Sequence, residues 1–290
     1  MAVIGRAADV RGVTFADAWR SFRTAIGLGW AIESNWSDPL LFAIYTLAKP
    51  LAAAMILVVM FSIITGGQGG EFLQFMIVGT ALWNVVFGVM AGLVQSILED
   101  RERYRMIKYV VVTPSSLFPF LLGRSLARVA ISLVAVALTL AVGVLFLGVE
   151  LRPNLLYLVP ASVLGVLAVI SLGIFMAGWC LQLRQEAWSY PEAIAGALYL
   201  VSGAIFQIDV LPDAVQPIAY ALPTTWWLEA SRRGLVGHGS PGEIGQIPDG
   251  VVMLLLVVTT AIAIPLSLLL FRWFMRRARQ AGLLDMVTGS

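Results

Sequence analysis

The segment Glu99-Asp100-Arg101-Glu102-Arg103-Tyr104-Arg105 sets the architecture of this chain through what flanks it. Six of its seven residues are charged, yet apolar runs of membrane-spanning length lie on either side. Such a strip must sit at one face of a bilayer. It continues to Thr113-Pro114 before the next apolar run begins, which is more than a tight turn between two spans requires. The excess points to a surface on which something soluble docks.

Composition places the whole chain in the membrane. Hydrophobic residues make up 59% of the 290, charged residues 12%, and mean hydropathy is +0.88. A soluble domain would carry about 25% charged residues. The single cysteine, Cys180, lies in an apolar run, so it forms no intrachain disulfide and offers no metal site. Arg6, Asp9 and Arg11 lead into no apolar core. No cleaved signal peptide is expected, and the first span directs insertion.

A helix needs roughly 20 consecutive apolar residues to cross the hydrocarbon core. Six windows qualify: 40–65, 72–98, 117–147, 154–180, 187–206 and 250–274. Asp38-Pro39 opens the first as N-cap and first-turn proline, and Gly66-Gly67-Gln68-Gly69-Gly70 closes it. With both termini inside, fifteen of the nineteen basic residues fall on the cytoplasmic side, leaving Arg152, Arg232 and Arg233 outside and Lys49 within a span. The positive-inside bias therefore makes both termini and the charged strip cytoplasmic.

Upstream of the first span, Thr14 to Trp30 reads as an interfacial helix. Phe15, Ala18, Phe22, Ile26 and Trp30 recur at helical spacing, with Arg20 and Arg23 toward the other side. Thr14 with Asp17 forms a near capping box. Residues 207–249 form the long external segment. Pro212, Pro217 and Pro223 divide it into apolar stretches too short to span, and irregular backbone survives at membrane depth only where protein or water shields it. Short helices over 207–235 that dip in and return are expected; an ordinary external loop is the alternative. The fold class is then an all-α integral membrane protein. It has a cytoplasmic N-terminal region (1–38), a six-span domain (39–274) and a cytoplasmic tail (275–290).

Enzyme chemistry is missing. No Gly-x-x-x-x-Gly-Lys-Ser/Thr phosphate loop occurs, and the two lysines, Lys49 and Lys108, follow no glycine. His238 is the only histidine and has no cysteine or carboxylate cluster beside it, which makes it a poor metal site, and no Ser-His pair is placed inside the membrane for proteolysis. Glu99-Asp100-Arg101-Glu102 resembles one diphosphate-binding acidic motif, but a prenyltransferase needs a second. Nothing points to nucleic acid.

Ionisable groups in the spans are few, and each is a functional candidate by default. Lys49 either snorkels to the cytoplasmic interface or lines a pathway. Glu192, next to Pro191, is either a structural partner or a pathway residue. No series of carboxylates crosses the bilayer, which counts against the alternative of an ion-gradient-driven secondary transporter. In the strip, Glu99 and Arg103 are four apart, as are Arg101 and Arg105, so a helix there would pair opposite charges along one side. A solvated helix end would show the same residues. The three acids among the bases favour protein docking, since topology needs only Lys and Arg.

Six spans, a strip reading Glu-Asp-Arg-Glu-Arg…Thr-Pro, and Ser202-Gly203-Ala204-Ile205-Phe206…Leu211-Pro212 together resemble the ABC-2 type transporter permeases. So does the continuation Gln216-Pro217-Ile218…Leu222-Pro223-Thr224-Thr225…Glu229…Arg232. The resemblance covers nearly the whole chain. It implies a cell-membrane permease subunit that dimerises, as a homodimer in preference to a heterodimer, and pairs with a separate ATP-binding subunit. ATP and Mg are bound by that partner, and this chain carries no cofactor. The strip 99–114 is then the coupling helix, with Glu99, Arg101, Glu102, Arg103 and Arg105 as docking candidates. Pro212, Pro217 and Pro223 mark an outer gate. The substrate expected from the few charges in the spans is amphipathic or apolar: a lipid, a lipid-linked glycan or a drug. Export and alternating access at the dimer interface follow from the resemblance.

Overall fold

A computed structural model describes residues 15–34, 70–102, 117–183 and 189–283, with scattered positions between 41 and 63. Its helices, in chain order, are α1 (Phe15–Ser34), α2 (Glu71–Glu102), α3 (Leu117–Leu147), α4 (Leu155–Cys180) and α5 (Tyr190–Val201). A single 3-10 turn (Ile208–Val210) leads to α6 (Gln216–Ala221), α7 (Pro223–Val236), α8 (Glu243–Gln246) and the long α9 (Asp249–Gln280). No strand occurs among the described residues. The first expected span, 40–65, lies largely outside them, as does Lys49.

Among the described residues, four helical stretches are long and apolar enough to cross a bilayer: Glu71–Glu99, Ser125–Phe146, Leu155–Cys180 and Asp249–Gln280. The window 187–206 gives a different result. Its described helix, α5, has 12 residues, a rise of about 18 Å against a core of about 30 Å. It stops where Gly203 turns at φ +75°, a left-handed conformation that glycine adopts without steric cost. The Arg232 guanidinium donates to the carbonyls of Gly203 (2.8 Å) and Ala204 (2.9 Å) just past the helix end.

α2 is the central rod. Val78, Val85, Val89, Met90, Leu93, Val94, Ile97 and Leu98 are all buried, and α3, α4, α5 and α7 pack around it. Lipid tails are as apolar as leucine, so helices in a bilayer gain nothing from hiding leucine and pack through small residues instead. The chain follows that rule. A Cβ on Gly88 would meet the Ser132 hydroxyl of α3, and one on Gly173 would meet Leu93 of α2. Gly178 lies against Phe271 of α9. α1 seats on α3 where Ala25, fully buried, meets Gly123. The contact face of α1 is thus centred on Ala25 and Gly29, while the expected Trp30 is exposed. The reason is the same: small residues allow close approach. Leu254, Val258, Ile262, Leu266, Leu269 and Trp273 remain exposed along α9 at three- and four-residue spacing, as acyl chains would require.

The tightest of these approaches is Gly165 of α4 under the indole of Trp227 in α7, which is 2% exposed. Any Cβ there overlaps the ring, and the ring has nowhere to go. Gly165→Ala is expected to cost about 1–3 kcal/mol and to lower the thermal midpoint of the detergent-purified protein. Gly196→Ala, whose Cβ meets nothing within 4 Å, should hold or raise it, which a thermal ramp with size-exclusion detection will measure.

Candidate functional site

Functional residues gather at the two ends of α2, whose 32 residues separate them by about 48 Å. At the end where α2 begins, a charged cluster is buried inside the protein. Leu222 enters α7 with extended backbone, and Pro223 sits in its first turn, where its fixed φ suits a helix start. Thr225 Oγ1 donates to the Ala219 carbonyl (2.7 Å) and Trp226 Nε1 to that of Tyr220 (2.8 Å), fastening α7 to α6. Gly237 closes α7 in the left-handed conformation at φ +89°. So held, α7 carries Glu229, Arg232 and Arg233 at 1%, 5% and 6% exposure.

Arg233 is saturated. Its Nε donates to Glu229 Oε1 (2.7 Å), Nη1 to Asp249 Oδ1 (2.7 Å) and the Ile247 carbonyl (2.6 Å), and Nη2 to the carbonyls of Ile244 (2.9 Å) and Gly245 (3.3 Å). All five N–H groups of the guanidinium fork thereby find acceptors. Burial would lower its pKa, but the hydrogen bonds and charges of Glu229 and Asp249 more than offset this and raise it. Glu229 also accepts from Ser240 N (3.2 Å) and from the Ser240 hydroxyl. Arg232 lies 3.8 Å over the Phe75 ring of α2, a cation–π contact. Burial pushes its pKa down to about 10, with Glu229 opposing the fall, so it remains a cation at neutral pH. The cluster joins α2, the turn after α5, α7, the 237–248 loop and α9. Each acid in it is engaged by an arginine or a serine, so it does the work of a clasp and leaves no free base or nucleophile.

At the other end, α2 extends through the first four residues of the charged strip. Gln95 Nε2 donates to Glu99 Oε1 (3.3 Å) one turn along. Glu99 is half-buried and Arg101 is 2% exposed. Glu102 ends the helix; Arg103 and Arg105 lie outside the described residues. Glu192, in the first turn of α5 beside Pro191, is exposed and lines a cavity shared with Gln95 and Leu98 of α2. Pro212 is exposed ahead of α6, Pro217 is exposed in the first turn of α6, and Pro223 is buried at the start of α7. The structure thus keeps the proline segment and the strip at opposite ends. Among the described residues no group of three or more His, Cys, Asp or Glu side chains could hold a metal ion.

Sequence reasoning counted Arg232 and Arg233 as external charges, in the segment expected to form short helices, and passed over Ser240 and Asp249. One signal was available: Glu229 and Arg233 are four apart, the spacing of a helical ion pair. Removing one partner of a buried pair strands the other, at about 3–5 kcal/mol. Glu229→Ala should therefore sharply lower thermal stability and membrane abundance. Glu150 and Arg152, paired at 3.1 Å but 76% and 77% exposed, give the contrast. Glu150→Gln should cost about 0–1 kcal/mol, and comparing the two midpoints checks both expectations.

Residues 28–236, from within α1 to the end of α7, match the family model described as ABC-2 type transporter. Proteins of Escherichia coli (strain K12) and of Escherichia coli O157:H7, each named as a probable multidrug ABC transporter permease YbhS, are 23% identical over 150 residues. The aligned part is 50% of this chain and 39% of each relative, so the chain spans about two fifths of the length of the curated relatives it matches. Permeases of this family are transmembrane subunits without an ATPase of their own and work with ATP-binding subunits. With the match covering most of its length and four long apolar helices in its fold, the chain belongs to the ABC-2 type transporter family and is a multi-pass membrane permease of the ABC type.

Proposed function

We propose that this chain is the transmembrane subunit of an ATP-driven exporter, working as a homodimer in the cell membrane with both termini cytoplasmic. A separate subunit binds and hydrolyses ATP with Mg. It seats on the strip 99–114, and substrate passes along the interface between two copies of this chain by alternating access. The observation that carries the reading is the family match over residues 28–236. The continuity of α2 supports it, because one unbroken helix runs from Phe75, beneath Arg232, to the charged strip.

A push on the strip moves α2 as a rod, and its far end bears on the clasp that holds α7. The short helices over 207–235 dip into the bilayer from the exterior and cap the exit, with Pro212, Pro217 and Pro223 as the joints of the gate. The shielding of α7 by α2, α4 and α9 supports this for that helix, since it is buried almost throughout. Within the strip, Glu99 and Glu102, with Arg103 and Arg105, form the docking surface. The burial of Arg101 supports a role in fastening the helix end to the bundle. The cargo is amphipathic or apolar, in keeping with the small number of charges in the spans and with the multidrug naming of the matched relatives.

Purified from native membranes, the tagged chain is expected to bring down a soluble ATP-binding subunit. The double reversal Glu99→Lys with Glu102→Lys should abolish that copurification while leaving the thermal midpoint within a few degrees. Two results would refute the assignment: cargo movement into sealed vesicles lacking nucleotide, or labelling of a Tyr104→Cys variant from the exterior of intact cells.

A further inference from the structure

The cavity between α2 and α5 has a chemistry that the transport reading leaves open. Its volume is about 410 Å³, within the range of roughly 300–1,000 Å³ that small-molecule sites occupy. Val94 and Leu98 on α2 and Pro191 on α5 supply apolar wall. Gln95, Ser189 and Glu192 supply the polar groups. Glu192 is the one charged side chain among the described residues that line it. No other described residue gives it a hydrogen bond or ion pair.

Among the other described acids, Glu71 and Asp213 are likewise exposed and have no such partner, but neither lines this cavity, and several others are engaged. Glu229 and Asp249 are engaged by Arg233, Glu150 by Arg152, Asp209 by the Glu243 backbone N–H (2.6 Å), and Glu99 accepts from Gln95 (3.3 Å). Gln95 therefore turns its amide donor toward Glu99, which leaves its carbonyl oxygen as a further acceptor at the cavity wall. A site with a carboxylate, an amide oxygen and a hydroxyl over apolar surface complements one class of molecule. That class is an organic cation with an apolar body. A desolvated anion would face the Glu192 charge with only neutral donors such as the Ser189 hydroxyl to offset it, at a cost set by the low local dielectric. We propose that this cavity binds amphipathic cations through Glu192, and that it is the loading site for the substrate. The second half of this statement rests on the permease reading above; the binding itself does not.

The probes are tetraphenylphosphonium and tetraphenylborate, which share shape and bulk and differ in the sign of charge. Each is titrated separately against the full chain in phosphatidylcholine nanodiscs, with empty nanodiscs subtracted. Saturable binding of the cation and none of the anion is expected. Glu192→Gln should weaken cation binding at least about tenfold, and Glu192→Asp should keep it within about threefold, since a tenfold change corresponds to one modest charge contact. Equal binding of the two ions, or full cation binding by Glu192→Gln, overturns the proposal. The comparison on the unaltered chain decides even if a variant fails to fold. Copurification of an ATP-binding subunit, followed on the same preparations, reports the permease reading separately: its loss with cation selectivity intact sinks that reading and leaves the site standing.

Discussion

The structure depends on keeping two adjacent arginines charged inside a protein interior. Burying an ion costs several kcal/mol even after relaxation, and mutual attraction repays this only when every donor is met. Arg233 meets the condition with acceptors for all five N–H groups, from Glu229, Asp249 and three carbonyls. Arg232 meets it only in part: Nη2 donates to two carbonyls and the guanidinium lies over Phe75, but its buried Nε has no acceptor. Such a cluster contributes little net stability over a well-packed apolar core. It contributes exactness of position, because only one arrangement of α2, α7, α9 and the turn after α5 satisfies it. The short length of α5 follows: a helix continued past Val201 would consume the carbonyls that Arg232 needs.

Away from that cluster the bundle is held by shape. Gly88, Gly165, Gly173 and Gly178 let neighbouring helices approach until side chains from the partner rest on backbone. Packing of this kind leaves each helix nearly rigid and concentrates compliance at the ends. α2 is bounded at one end by the arginine clasp and at the other by Arg101, buried in the bundle. A helix pinned at both ends and packed along its length transmits displacement with little loss. The proposed coupling needs that property, and it arises from van der Waals contact with no special chemistry between the ends.

Much of this was legible in the residues. Long apolar windows gave α2, α3, α4 and α9, because hydrophobic length is a direct requirement of the bilayer. The helix before the first span was legible in its periodicity, though its buried face centres on Ala25, and hydropathy patterns under-weight alanine and glycine. The described helix in the window 187–206 is short for a nonlocal reason. Its end is set by Arg232, some 29 residues away in sequence, and composition carries no trace of that. Arg101 shows the same limit, since a charge in a charged run reads as solvated whichever way its side chain turns. The buried arginines were hidden by a rule that works on average: positive residues mark surface loops, unless a glutamate one turn away and a ring of carbonyls receive them.

The two ends of α2 also differ in what they can do for a substrate. At the clasp end the buried charges are engaged with one another, and the exposed pair Glu150–Arg152 lies with Gln74 and His238 around a cavity of about 330 Å³. At the strip end Glu192 has no partner among the described residues, and Gln95 keeps an acceptor free. A transporter needs affinity where cargo enters and little where it departs, because a site that binds equally well at both ends gains nothing from being alternately exposed. Under the proposed loading site, the Glu192 carboxylate would supply that affinity where cargo enters.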